Sequence, residues 1–257
     1  MSDSTNRRAD LPVVDGEDPT RLLMLETSSE SPDIPTGPSD KRKFVSVAPE
    51  KRLSAADYLP EDRSLESLRK AAAKCEGCEL YLRATQTVFG SGPAPAALMF
   101  IGEAPGEKED DAGHPFVGPA GNLLDNAFTA AGIDRSQVYL TNTVKHFKWE
   151  PVGNRRLHAK PNSREINACQ PWLMAEIQTV APKLIVCLGA TAAQSLLGHK
   201  FRITRQRGQI LTLSSGQKVL STWHPSSILR TPDAEARQRM QEELFLDLRA
   251  ASDMTRE

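Results

Sequence analysis

The sequence predicts an α/β fold class, a three-layer α/β/α sandwich in which helices cover both faces of a central, mostly parallel sheet. Two observations lead to this prediction. Short apolar runs typical of buried strands alternate with segments of helical spacing, and glycines follow two of the runs directly. The predicted strands span residues 97–101, 138–141, 183–188, 210–213 and 219–222, and the predicted helices span residues 64–74, 121–131, 163–180, a segment beginning after Gly189, and 233–251.

Each element has a local justification in the residue pattern. Residues 97–101 read Ala-Leu-Met-Phe-Ile before Gly102, which indicates a buried strand ending in a tight turn. Leu123, Leu124 and Phe128 share one face of the segment that follows, as helical spacing requires. The last segment is amphipathic and closes the domain as a C-terminal helix.

Length and charge limit the number of domains and the class of partner. Residues 1–44 are rich in Ser, Pro, Asp and Thr, which predicts a disordered acidic N-terminal extension, whereas residues 45–257 predict one catalytic domain. The net charge is −1, but residues 1–40 hold nine acidic and three basic side chains, which leaves 24 acidic and 29 basic ones beyond them. The predicted domain is therefore mildly basic, as binding to a nucleic-acid backbone requires.

The sequence also favours one compartment. No segment has the apolar length that a membrane span needs, and the acidic N-terminus lacks the pattern of a signal peptide. We expect a cytoplasmic, nucleoid-associated monomer without a membrane partner.

Several polar residues and glycines follow predicted strands and are expected to share one rim of the sheet, where ligands bind in this fold class. Glu103 lies in a Gly/Pro-shaped loop after the first strand, either as a carboxylate beside a substrate or as part of an acidic surface turn. Phe116 lies in a Gly/Pro-rich segment and either stacks on a flat ring or fills the core. Asn142 either pairs with the edge of a pyrimidine or caps a helix.

A basic stretch lies downstream, and two histidines, one within it and one after the last strand, are further candidates. Residues 145–165 hold six Lys/Arg and two Glu, with Phe147 and Trp149 between them, which favours either nucleic-acid binding or a solvated loop. Within this stretch, His158 is flanked by cations, as a nucleophile or phosphate contact near DNA would be, or it is a solvated residue. His224 follows the last strand in a His-Pro-Ser-Ser run and is either a cap or a substrate contact.

Four cysteines are candidates for a metal site. Cys75 and Cys78 have a chelating Cys-x-x-Cys spacing, and Cys169 and Cys187 follow much later in the chain. Four thiolates suit zinc or a [4Fe–4S] cluster, and the spacing alone does not choose between them. Cys187 lies in an apolar strand and is equally explained as a core residue.

Together these motifs resemble the iron–sulfur, family 4-like branch of the uracil-DNA glycosylase superfamily. The likeness rests on the cysteine quartet, Gly102-Glu-Ala-Pro-Gly106, His114-Pro-Phe-Val-Gly-Pro-Ala-Gly121, Thr141-Asn142 and His224-Pro-Ser-Ser-Ile-Leu-Arg230, in one order over about residues 70–250. Val144-Lys-His-Phe-Lys-Trp149 and Arg155-Arg-Leu-His-Ala-Lys-Pro161 resemble the UdgX type within that branch. One departure is Ala104, where some UdgX-type members carry glutamine and turnover enzymes carry alanine.

The resemblance implies a function and a partner. Uracil would be excised from single-stranded or duplex DNA, and the protein would then become irreversibly joined to the sugar C1′ through His158. A multiple-turnover glycosylase that releases uracil and abasic DNA is the alternative, and a non-catalytic, metal-stapled nucleic-acid-binding module is a third hypothesis from another class.

The resemblance also implies site residues and a cofactor. The implied catalytic residues are His158, Glu103 and His224. The implied uracil-binding residues are Gly102, Ala104, Phe116 and Asn142, and the implied DNA contacts are Lys145, Arg155, Arg156, Lys160, Ser226 and Arg230. The implied cofactor is a structural [4Fe–4S] cluster on Cys75, Cys78, Cys169 and Cys187, in preference to zinc.

Overall fold

The computed structural model describes residues 54–256. The prediction of a disordered extension over residues 1–44 lies outside them. Seven strands and eight α-helices are present in the described part: α1 (Leu65–Ala72), β1 (Leu98–Gly102), α2 (Glu107–Ala112), α3 (Pro119–Ala131), β2 (Tyr139–Asn142), β3 (Trp149–Val152), β4 (Arg155–His158), α4 (Ser163–Val180), β5 (Leu184–Leu188), α5 (Ala190–Leu197), α6 (Ile203–Gln206), β6 (Ile210–Thr212), β7 (Lys218–Thr222), α7 (Pro225–Arg230) and α8 (Ala234–Arg256).

The central sheet has five strands in the order β2-β1-β5-β7-β6. The pairs β1–β2, β1–β5 and β5–β7 are parallel, and only the edge strand β6 is antiparallel to its neighbour. The carboxyl ends of β1, β2, β5 and β7 therefore meet at one rim, as the sequence predicts.

Helices cover both faces of this sheet. On one face, Phe100 and Val186 pack against Leu124 and Phe128 of α3 and against Leu248 of α8. On the other, Met99, Ile185 and Cys187 pack against Leu173 of α4 and Ala192 of α5. The predicted three-layer α/β/α sandwich is confirmed.

The segment between β2 and α4 differs from the sequence prediction. It was expected to be irregular, but β3 and β4 form an antiparallel hairpin in which Trp149 is paired with His158. Val152 is paired with Arg155, so the turn has two residues, and Gly153 supplies its positive φ of 58°. Helix α4 begins as predicted, because Asn162 and Glu165 form a reciprocal capping box.

Two short helices were also missed by the sequence pattern. α2 is an acidic run without apolar periodicity, which we interpreted as a loop, and α7 follows His224 directly. Both begin just beyond a strand end and therefore shape the rim. None of the helices in residues 54–256 is both long and apolar enough to cross a membrane.

Candidate active site

The first group of candidate site residues lies where β1 and β2 end. Gly102 and Asn142 are directly paired across the two strands. A Cβ atom built on Gly102 would lie 2.3 Å from Asn142 Oδ1 and 2.8 Å from Phe116 Cζ. The backbone of Gly102, the Asn142 amide and the Phe116 ring thus converge, and any larger residue at position 102 would collide with them.

Phe116 is held in an unusual conformation by its neighbours. Its φ of 57° lies in the left-handed region that a bulky side chain rarely adopts. Arg135 Nη2 donates to the Phe116 carbonyl at 3.0 Å, and Glu109 accepts from the backbone N–H groups of Val117 and Gly118 at 3.0 and 2.8 Å. These contacts fix the buried ring beside Gly102.

Glu109 is a residue that sequence reasoning missed. Besides its two bonds to the loop after Phe116, its carboxylate accepts from the Gly106 N–H at 3.1 Å. One buried side chain therefore joins the Gly102–Gly106 loop to the loop that presents Phe116. No sequence signal separates this glutamate from the other acidic residues of α2.

His224 faces Phe116 from the end of β7. The two ring centroids lie 6.3 Å apart, and the rings are inclined at 31°. Nδ1 of His224 accepts from the Ser226 N–H at 3.1 Å, so the proton of the neutral ring is on Nε2. Desolvation, together with the positive charges of Arg230 and His158, lowers the pKa of His224 to about 4. The ring is therefore a neutral Nε2–H donor at physiological pH.

Gly189, which follows β5, lies too close to His224 to carry a side chain. Its φ is 88°, and a Cβ atom there would lie 2.9 Å from the Cβ of His224. The predicted DNA contact Ser226 lies in the same turn, where its hydroxyl is 2.8 Å from His224 Nδ1. In this structure Ser226 positions the imidazole.

Glu103 and Ala104 follow Gly102 at the rim. Glu103 Oε2 accepts from the Thr191 hydroxyl at 2.5 Å, which joins the β1 loop to the first turn of α5. Thr191 is a second site residue that the sequence did not reveal, because it lies in an ordinary run of helix formers. Ala104 is half-buried against the apolar cluster that contains Cys169.

The structure brings His158 to the same rim. Its exposed ring at the end of β4 lies 6.0 Å from the Phe147 ring, measured between centroids. Desolvation lowers the pKa of His158; the Glu103 carboxylate opposes this shift and Arg230 reinforces it. Because the pKa of His158 is lowered, its neutral imidazole is the favoured form at physiological pH.

The prediction of Lys145 as a DNA contact is wrong. Only 1% of this residue is exposed, and its Nζ donates to Thr141 Oγ1 and the Asn142 carbonyl, both at 2.7 Å, and to Glu176 at 2.5 Å. Lys145 therefore supports the strand end that presents Asn142. Its basic neighbours in the sequence concealed this burial.

The other predicted phosphate contacts divide into two groups. Arg155, Lys160 and Arg230 are exposed and remain candidates. Arg156 instead directs its guanidinium at Glu107, Asp110 and Asp111 of α2. The structure therefore does not present Arg156 as a phosphate ligand.

Replacing Lys145 by methionine is expected to destabilise the protein by about 3–5 kcal/mol, because Glu176 would keep a buried charge without its cation. Glu176 also accepts from the Gly90 N–H and the Tyr139 hydroxyl, both at 3.0 Å, so it cannot turn towards solvent freely. Chemical denaturation measures the loss. The exposed Lys70→Met variant, which breaks the surface pair with Glu66, is the control, and an equally small loss at Lys145 would contradict the argument.

Three of the four cysteines lie in one apolar cluster. Cys75, Cys78 and Cys169 pack with Trp172 and Ala72, and the Sγ atom of Cys75 accepts the Gly77 backbone N–H at 3.4 Å. Burial raises the pKa of Cys78 to about 11 and that of Cys169 to about 12. Within residues 54–256, no three Cys, His, Asp or Glu side chains form a group that could hold a single metal ion.

The fourth cysteine lies elsewhere, which corrects the predicted ligand set. Cys187 is in the middle of the sheet, between Ile101 of β1 and Ser221 of β7, and packs in the core cluster under α4 and α5. Desolvation alone raises the pKa of its thiol, and no other cysteine influences it. The structure favours the alternative explanation of Cys187 as a core residue.

The fold and the rim together define a class of site. A glycine backbone, a stacked aromatic ring, a side-chain amide and a neutral imidazole N–H donor meet at the carboxyl ends of parallel strands, as in a pocket for a flat, polar ring. A nucleobase taken out of the stack has these properties.

Comparison with known proteins identifies the family. The family model of the uracil DNA glycosylase superfamily matches residues 89–249. A type-4 uracil-DNA glycosylase of Thermotoga maritima is 39% identical over 181 residues, which cover 70% of this chain and 91% of that protein. One from Sulfurisphaera tokodaii is 39% identical over 178 residues, covering 66% and 78%, and a type-5 enzyme of Pyrobaculum aerophilum is 27% identical over 154 residues, covering 53% and 64%. The chain belongs to the uracil DNA glycosylase superfamily.

Proposed function

We propose that this protein cleaves the N-glycosidic bond between uracil and the sugar in DNA. One observation supports this most strongly: Gly102, Phe116, Asn142 and His224 lie together at the rim of the sheet. Uracil must first be flipped out of a duplex or taken from a single strand, at a cost of roughly a few kcal/mol. The exposed cations Arg155, Lys160 and Arg230 would hold the phosphates.

The pocket residues have complementary roles. The Asn142 amide pairs with N3–H and one carbonyl of uracil, while Phe116 stacks on the ring. When the C1′–N1 bond breaks, its electron pair leaves with uracil, and the Nε2–H of His224 stabilises the negative charge that develops on the base. The sugar becomes an oxocarbenium-like cation with C1′ as its electrophilic atom.

We further propose that His158 captures this cation. The lone pair of the neutral imidazole forms a bond to C1′, and the positive charge passes to the ring, where the Glu103 carboxylate compensates it. Two observations support this proposal: His158 is an exposed residue at the end of β4, and its pKa responds to the Glu103 carboxylate. The product would be DNA joined to the protein through a C–N bond.

Hydrolysis with release of abasic DNA is the second candidate. The comparisons favour it, since the most similar relatives named above are called type-4 uracil-DNA glycosylases. Ala104 in the Gly102–Gly106 loop agrees with it as well. In this case water attacks C1′, and His158 contacts only the DNA.

A single-turnover assay tests base excision itself. The protein in excess is mixed with an oligonucleotide that has one uracil, and released uracil is measured by chromatography, with a thymine-containing oligonucleotide as the control. Release from the uracil strand alone supports the proposed function. Binding to both strands without release would leave only the third hypothesis, a nucleic-acid-binding module.

We also propose that Cys75, Cys78 and Cys169 hold the iron–sulfur cluster. Three sulfurs in one apolar cluster suit cluster thiolates, whereas a four-cysteine set does not fit because Cys187 packs in a different cluster. When bound, the iron–sulfur cluster would join the segment after α1 to α4. It takes no part in bond cleavage in this proposal.

Metal content distinguishes the two ligand sets. Cys169→Ala is expected to lower iron per protein and the visible absorbance of the cluster, because it removes a ligand. Cys187→Ala, a matched change at a buried cysteine, is expected to leave iron content unchanged. Iron loss in Cys187→Ala alone would restore the four-cysteine set, and zinc in place of iron in protein purified without oxygen would contradict the cluster.

A further inference from the structure

The hairpin that presents His158 is attached to the domain through few contacts. It forms a sheet of its own, separate from the five-stranded sheet, and Val152 and Leu157 on it are at least half exposed. An isolated two-stranded hairpin is marginally stable in water. Its position relative to the pocket must therefore depend on the side chains that connect it to the domain.

Arg156 makes four of the hydrogen bonds that connect the hairpin to the domain, and Trp149 Nε1 adds one to the Arg83 carbonyl at 2.8 Å. Its Nε donates to Glu107 at 3.2 Å, Nη1 donates to Asp110 at 2.7 Å and to the Thr85 hydroxyl at 3.1 Å, and Nη2 donates to Asp111 at 2.8 Å. The guanidinium also lies over the Phe147 ring, with its central carbon 5.5 Å from the ring centroid. Such a planar, multidentate arrangement fixes both the position and the orientation of the side chain.

One of the acidic partners, Asp110, is itself fixed. Asp110 is fully buried, accepts from the Thr85 N–H at 2.9 Å, and has Arg156 as its one cation among the described residues. Its helix, α2, begins immediately after the Gly102–Gly106 loop that contains Glu103. Arg156 and His158 alternate with Leu157 along β4 and lie on the same face of the strand.

We propose that Arg156 is a positioning residue that sets the distance between His158 and the C1′ atom by holding β4 against α2. This inference rests on the proposed capture by His158. Water and His158 compete for the same sugar cation. Displacement of the histidine therefore favours attack by water and the formation of free abasic DNA. Because a misplacement of about 1 Å can cost a factor of about 100 in rate, the ratio of products is a sensitive measure of this position.

The test compares Arg156→Ala with the native protein at saturating uracil-containing DNA. We expect the ratio of covalent adduct to free abasic DNA to fall by about 10- to 100-fold, while uracil release continues. Asp111→Asn, which removes one exposed partner and keeps the buried one, is expected to shift the ratio in the same direction by less. Arg239→Ala on α8, which removes a cation from an exposed pair, is the matched control.

Two results would overturn the inference. The first is an unchanged adduct ratio in a folded Arg156→Ala protein. The second is unchanged hydrogen exchange of the amides of residues 149–158 in free Arg156→Ala protein, since a released hairpin must exchange faster. If the native protein forms no adduct, capture by His158 fails separately, and hydrogen exchange still decides whether Arg156 holds the hairpin.

Discussion

Replacing His158 by alanine is expected to abolish covalent attachment to DNA and to leave uracil release in place. The Gly102, Phe116, Asn142 and His224 pocket does not include His158, so cleavage of the glycosidic bond keeps its stabilising contacts. Water then takes the position of the imidazole at C1′, and the variant turns over. Denaturing electrophoresis measures the adduct, and chromatography measures free uracil over several equivalents of DNA.

The control for this prediction is His199→Ala, which removes an exposed histidine outside the rim. It should form adduct as the native protein does. If His158→Ala still forms a heat-stable adduct, another side chain is the nucleophile. If it loses uracil release to the same degree as the adduct, His158 takes part in bond cleavage itself.

Replacing His224 by alanine is expected to slow uracil release by about 10²–10³-fold, the usual cost of losing one donor that stabilises developing negative charge. Adduct formation should fall by the same factor, because capture follows bond cleavage. This shared loss separates His224 from His158, whose removal affects the adduct alone. Single-turnover rates at saturating DNA provide the comparison.

The pKa of His224 gives this prediction an internal check. Because its pKa is lowered to about 4, the ring stays neutral as pH falls from 8 through the normal histidine range. The excision rate is therefore not expected to fall near pH 6 through protonation of His224. A folded His224→Ala protein whose excision rate stays within a few-fold of native would contradict the assigned role.

The sheet and the rim were predictable from the sequence for a simple physical reason. Buried parallel strands need continuous apolar runs, and residues 97–101 and 183–188 supply them between helical segments. Since parallel strands end at one edge, Gly102, Asn142 and His224 had to lie on neighbouring loops. The structure brings them together as this argument expects.

The predictions from sequence failed where contacts with residues distant in the chain determine the position of a side chain. Lys145 lies in a basic stretch, but it is buried in an ion pair with Glu176, 31 residues later. Arg156 looks like its exposed neighbour Arg155, and only the acidic face of α2 distinguishes them. Glu109 and Thr191 position site residues through bonds to distant loops, so neither leaves a local pattern.

The most direct test of uracil excision with capture by His158 is the number of uracil molecules released per protein molecule in excess uracil-containing DNA. Denaturing electrophoresis is run on the same samples. If His158 captures the sugar, uracil release stops at one equivalent per protein molecule. Each equivalent then appears as protein covalently joined to DNA. Release of many equivalents, with abasic DNA and no adduct, would contradict capture and establish a multiple-turnover glycosylase.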